Sequence, residues 1–303
     1  MPSTTIFRTA CFVFILSSAC VAKKAIGQNA SVSYPAPVPG AEAIRFLPGN
    51  VSSDSIDFGS AFSPNGGSFY FSRSENKRLQ IYLSIFEKGK WSQAVPAAFN
   101  DPAYSQADPA FSPDGKLYFI SNCPVAEGDT SLDYNIWFVS PLPGGSWTEK
   151  QTATKLNSDS NEFYISFAKN GELYFSSSRE GGFGEEDIYS SKLIKDGFTP
   201  PQNLGPMVNS NKSEYDPGIS PEGNLLLFAS ANRPGGFGGA DLYFTTRKNK
   251  KEWSSPLNLG KQINSRTREY CPYFTPDGKF FFFSGEADVK WISRNFLKNK
   301  TGN

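Results

Sequence analysis

The sequence predicts an all-β chain folded as a five-bladed β-propeller of four-stranded antiparallel blades. Three observations carry that prediction. One Gly-terminated turn recurs five times along the 303 residues. Short runs rich in Phe, Tyr, Leu and Ile follow each turn, as strands require. No amphipathic helical pattern of about twelve residues or more lies between them. The 27 glycines, 22 prolines and 15% aromatic content agree, because they favour turns and strands over helices.

The turns are "FSPNG" (62–66), "FSPDG" (111–115), "FAKNG" (167–171), "ISPEG" (219–223) and "FTPDG" (274–278), with glycine-to-glycine spacings of 49, 56, 52 and 55. Asn-Gly and Asp-Gly between apolar runs are hairpin signals, since both residues tolerate positive φ. The second strands are "SFYFS", "KLYFIS", "ELYFSS", "NLLLFAS" and "KFFFFS"; the third are "QIYLS", "NIWFVS", "DIYSS", "DLYFTT" and "DVKWIS". A fourth follows in four copies, led by Trp91, Trp147, Phe198 and Trp253. Four short strands per unit of roughly fifty residues describe a propeller blade. The last copy lacks its fourth strand, and residues near 44–52 are expected to supply it. Their register follows from a repeated pair: Asn157 and Glu162, Asn209 and Glu214, Asn264 and Glu269, echoed by Ser52 and Asp57. Such closure removes the sheet edges that invite aggregation. A six-bladed ring is the alternative, but it would need a blade without a marker turn.

"FSPDGKLYFIS", "SREGGFGEEDIY", "PLNLGKQINS" and "EYCPYFTPDGKFFFFS" resemble the WD40-like, TolB-type β-propeller repeats of bacterial envelope proteins, over about residues 44–295. The resemblance implies the fold more than an activity, because one fold hosts many functions. TolB carries a separate N-terminal α/β domain and other members a peptidoglycan-binding OmpA-like domain. Too few residues lie outside the repeats here for either, so neither function transfers intact.

The N-terminus has a different character. "TACFVFILSSACVA" after Arg8 is too short to span a bilayer as a mature helix and reads as an export signal, with a small-x-small cleavage site after Gly27. A second reading cuts before Cys20, as in outer-membrane lipoproteins. The expected organisation is therefore a signal peptide (1–27), an extended linker (28–43) and one propeller domain (44–303), periplasmic or secreted and monomeric. Without the signal, 27 basic residues face 29 acidic ones, which argues for no nucleic-acid or anionic-membrane partner. Cys123 and Cys271 remain, free or paired.

Candidate functional residues lie on the inner hairpins. Strand one opens with Asp57, Gln106, Glu162, Glu214 and Glu269, and strand two ends with Arg73, Arg179 and Arg233. Folding each hairpin about its turn sets Asp57 by Arg73, Glu162 by Arg179 and Glu214 by Arg233. One reading is a repeated cross-strand ion pair that holds register. The other is a polar funnel that binds a carboxylate, peptide or sugar through arginine. Two residues beyond each acid the copies disagree: Gly59, Asp108, Tyr164, Asp216 and Cys271. Irregular inner positions are where a specific ligand would act.

The absence of histidine excludes Ser-His-Asp, Cys-His and His-metal chemistry. A glycosidase built from Asp108, Glu162, Asp216 and Glu269 is the competing reading; a small-ligand sensor is a third. No cofactor or metal site is expected. In "SREGGFGEEDIY" and "NRPGGFGGADLY" the Asp falls one place late for a calcium nonapeptide, and strands rather than helices follow, so both read as blade connectors. The leading expectation is a non-catalytic exported propeller that binds an envelope protein or a cell-wall or carbohydrate component.

Overall fold

The computed structural model describes residues 32–249 and 252–301. The expected signal peptide, its cleavage site and Cys20 lie outside the described residues. Five separate antiparallel sheets form the five blades. Their inner strands are Ile56–Phe62, Gln106–Phe111, Glu162–Phe167, Ser213–Ile219 and Glu269–Phe274. Each inner strand contacts the inner strands on both sides, so the ring is closed around an axis.

In every blade the marker turn joins strand one to strand two, and the third strand runs beside the second. The outer strands are two-residue segments: Val95–Pro96, Gln151–Thr152, Gln202–Asn203 and Leu257–Asn258. The aromatics expected to lead these strands instead sit in small hairpin extensions before them, as in Lys90–Trp91 and Gly197–Phe198. The chain closes as the repeat predicts. Ile44–Arg45 pairs with Trp291 and Lys290, becoming the outer strand of blade 5. Phe46, fully buried, then wedges among Phe69, Phe282 and Trp291, with ring centroids 4.6, 4.9 and 5.4 Å away.

The packing before this strand is also fixed. Val32 is buried with the blade 5–blade 1 core, and Tyr34 stacks on Trp291 while its hydroxyl donates to Asp277. Two other repeated devices join the blades. The asparagine of each linker clips the third strand of the blade just completed: Asn209 accepts from the Ile188 N–H and donates to the Ile188 carbonyl, and Asn264 does the same at Leu242. Asn157 at Ile136 and Asn100 at Ile81 repeat the contact, so a side-chain amide completes the ladder where strand four is too short.

The glycine-rich strings form the second device. In blade 3, Asp187 accepts from the N–H groups of Phe183 and Gly184 and from the Asn203 amide; in blade 4, Asp241 accepts from Phe237, Gly238 and Asn258. The capped loop then lies against the linker of the next blade, with bridges Glu186 to Ser213 and Ala240 to Arg268. At Gly184 the approach leaves no room: a Cβ would stand 1.6 Å from the Lys212 carbonyl oxygen. Gly184→Ala must push two blades apart, and overpacking of this kind costs about 1–3 kcal/mol or more. The expected result is a lower urea midpoint for Gly184→Ala and none for Gly40→Ala, where a Cβ meets nothing within 4 Å.

Candidate functional site

The repeated acids open strand one at the face opposite the marker turns, and the structure uses them inside the blade. Glu162 is fully buried and accepts from the Ser158 N–H (3.0 Å), the Ser158 and Ser177 hydroxyls (2.5 and 2.9 Å) and Arg179 (3.0 Å). Asp57 accepts from Ser53 and pairs with Arg73 at 2.6 Å; Glu214 accepts from Ser210 and Ser230, and Glu269 from Ser265. In blade 2 the neutral Gln106 takes the place of the acid, accepting from the Asp101 N–H. The pattern is Asn-Ser-x-x-x-acid, in which the serine one place after the asparagine caps the acid. That serine was visible in three copies as "NS", and only the contact reveals its role. Burial pushes the Glu162 carboxyl up while Ser158, Ser177 and Arg179 pull it down.

The three arginines point along the blade rather than into the channel. Arg73, Arg179 and Arg233 lie over Tyr82, Tyr189 and Tyr243, with the guanidinium 4.8, 4.8 and 5.3 Å from the ring centroids. Each also donates to a carbonyl of the preceding linker: Asn50, Leu156 and Val208. The hairpin arithmetic holds for Asp57, which is opposite Arg73. It slips for the other two, since Glu162 is opposite Ser177 and Glu214 opposite Ser230. Arg179 folds back to reach Glu162, but among the described residues Arg233 makes no ion pair with Glu214. Blades 3 and 4 carry extra residues between strand two and the arginine, and this displaces the guanidinium.

The five irregular positions share one conformation. Gly59, Asp108, Tyr164, Asp216 and Cys271 have φ of 62, 55, 42, 51 and 50°, each at a shift of register between strands one and two. A bulge recurs in every blade because positive φ aims the amide sideways at the previous blade. Gly59 N–H donates to Ser284, Asp108 N–H to Ser72, and Cys271 N–H to Asp216. Gly and Asp are among the residues that tolerate this backbone, which explains three of the five identities. Tyr164 and Cys271 do not fit that explanation, and both reach across the axis.

The Tyr164 hydroxyl, from blade 3, donates to the Pro272 carbonyl of blade 5 at 2.9 Å. The Cys271 sulfur, from blade 5, stands 3.4 Å from Asp216 Oδ2 and 3.8 Å from Asp108 Oδ1, on blades 4 and 2. The Tyr164–Pro272 and Cys271–Asp108 contacts join non-adjacent blades, so these side chains plug the channel. Asp108 and Asp216 are thereby buried, and among the described residues neither forms an ion pair. Burial and the neighbouring carboxyl push Asp108 well up, and burial raises Asp216 to about 6. Glu186, raised to about 7 by burial, Asp216 and Glu185, is a third such acid that the sequence reading missed. Cys271 and Cys123 are both free and buried. Among the described residues no group of three or more acids and cysteines is placed to hold a metal.

Below the plug, on the face of the marker turns, the channel widens into a bowl of about 460 Å³. Its walls include Phe62, Phe111, Phe167 and Phe274, its floor Tyr164, and its rim Pro64, Pro113, Pro221 and Pro276 from four of the five turns. Lys169 takes the proline's place in the fifth. Apolar walls with few polar groups, at this size, are the usual form of a ligand pocket. Of the ten candidate residues, Tyr164 alone lines the bowl; Asp108 and Asp216 meet at Cys271, and Asp57, Arg73, Glu162, Arg179, Glu214, Arg233 and Glu269 stay on the other side.

The fold and its closed axis define the class: a five-bladed β-propeller. No protein-family model and no curated protein matches the chain. Among solved structures it is similar to a putative TolB from Agrobacterium tumefaciens at 16% identity, covering 77% of this chain and 74% of that one, TM-score 0.48. It is similar to the BT0996 RGII complex at 10% identity, covering 85% of this chain and 91% of the other, TM-score 0.53. A thermostable family-43 glycoside hydrolase matches at 12%, covering 86% and 91%, TM-score 0.48. At these identities the likeness is one of fold. Among the described residues no helix is long and apolar enough to cross a membrane.

Proposed function

We propose that the protein is an exported, non-catalytic binding module of the bacterial envelope that recognises its target at the axial bowl on the marker-turn face. The observation that carries this reading is the asymmetry of the two faces. On one, the repeated acids and arginines are engaged in latching linkers to blades. On the other, an apolar bowl opens to solvent with its rim set by rigid turns. The export signal and the TolB-type repeats support the envelope location. A hydrolytic reading has less support: Asp108 and Asp216 converge, but under the Tyr164 plug, while Glu162 and Glu269 are held in separate linker caps.

A photo-crosslinking residue decides between the faces. Placed at Pro113 on the rim and expressed in the envelope, it is expected to give a discrete adduct by gel and intact mass. At Phe183, exposed on the other face, it should give none. Adducts at Phe183 alone would overturn the assignment.

A further inference from the structure

We propose that the bowl takes an apolar small molecule carrying a single carboxylate, such as an alkyl or aryl carboxylic acid. This rests on the reading of the bowl as the recognition site and names the chemistry it selects.

The reason lies in how blade 3 departs from the other four. In blades 1, 2, 4 and 5 the turn begins Ser/Thr-Pro, and the hydroxyl bonds a side chain in the turn or just after it: Ser63 to Asn65, Ser112 to Asp114, Ser220 to Asn224 and Thr275 to Asp277. Blade 3 has Ala168-Lys169 instead, giving up both the hydroxyl and the proline. Those are stabilising turn features. What replaces them is an exposed ammonium on the rim that, among the described residues, forms no ion pair. Its backbone is not free to drift, because the Lys169 N–H donates to the Pro221 carbonyl of the next turn at 3.0 Å.

A second observation is independent of the first. Ser60 lines the bowl and is only 2% exposed, yet among the described residues its hydroxyl has no partner. A buried hydroxyl without a partner is costly. A bound carboxylate or ether oxygen would satisfy it. Among the described residues that line the bowl the one acid is Asp277, and its charge is offset by Lys279 at 3.2 Å. Apolar walls, one cation on the rim and one unmet hydroxyl select an anionic amphiphile over a cationic or strongly polar one.

Octanoate, octanol and octylamine, matched in length, separate the terms when titrated into the folded protein and followed by amide NMR and thermal melting. Octanoate is expected to shift resonances of Phe62, Phe111 and Ser166 and raise Tm. Octanol should bind more weakly, and octylamine weakest. Lys169→Glu, an exposed change, should cost octanoate about tenfold in affinity and reverse the order of acid and amine. Equal binding of acid and alcohol, or an unchanged octanoate affinity in Lys169→Glu, would overturn the carboxylate. No perturbation of the bowl by any probe would overturn the small-molecule site. If Pro113 adducts persist in that case, the recognition reading survives and only this inference falls.

Discussion

Asp216→Asn is expected to stabilise the protein at pH 8 and to flatten its stability between pH 5 and 8. In the folded chain Asp216 is raised to about 6 by burial, from an ordinary 3.8. The folded state therefore holds a proton across the window in which the unfolded chain has released it. That contribution is complete below the unfolded value and is lost as pH rises through about 6. Asp108, pushed up by burial and by Asp216, and Glu186, raised to about 7, act with the same sign. Wild type should accordingly melt higher at pH 5.5 than at pH 8. The whole shift corresponds to about 3 kcal/mol, of which under about 1 kcal/mol falls between pH 5.5 and 8, and for a domain this large each kcal/mol moves Tm by roughly 2–4 °C. Asparagine keeps an acceptor for the Cys271 N–H without the charge. Melting curves over the pH range are the measurement; a variant with the wild-type slope, or one less stable at pH 8, would show that the axial carboxyls are relieved by something other than a proton.

The second large effect concerns the repeated latch. Glu162→Ala leaves the Ser158 N–H, two hydroxyls and the Arg179 guanidinium without their shared acceptor. Breaking a buried pair by removing one partner costs about 3–5 kcal/mol, because the remaining charge stays desolvated. Glu162→Gln should cost less, since Gln106 performs the corresponding role in blade 2. Urea unfolding of both variants tests this. Crosslinking from Pro113 should be unaffected in the molecules that remain folded. The opposite outcome, full stability with lost capture, would restore the polar funnel as the binding face.

Those two predictions concern residues that looked alike in the sequence and separated only in space. Asp57, Glu162 and Glu214 stand out because they recur, and recurrence turned out to mean a linker cap that every blade needs. The serine that completes the cap lies one place after the asparagine, but nothing in a linear reading says that its hydroxyl meets the acid. Arg233 differs from Arg179 for a related reason. Both lie just past strand two, but Arg233 stands three places beyond Ser230, the partner of Glu214, whereas Arg179 stands two places beyond Ser177, the partner of Glu162.

The turns, the alternation of strands and the Asn/Ser-to-acid spacing were enough to determine five blades, four strands in each and closure by the N-terminus. Such features are local: positive φ at Asn-Gly or Asp-Gly, apolar runs and fixed spacing act through neighbours along the chain. The tertiary structure alone decided which mouth of the ring is open. Whether Asp108, Asp216 and Cys271 line a pocket or fill one depends on Tyr164 crossing from blade 3 to blade 5. That contact joins residues 108 places apart, and it needs a bulge angle that no sequence spacing specifies. Lys169 likewise reads as a lapse in a repeat until the five turns are brought together as one rim.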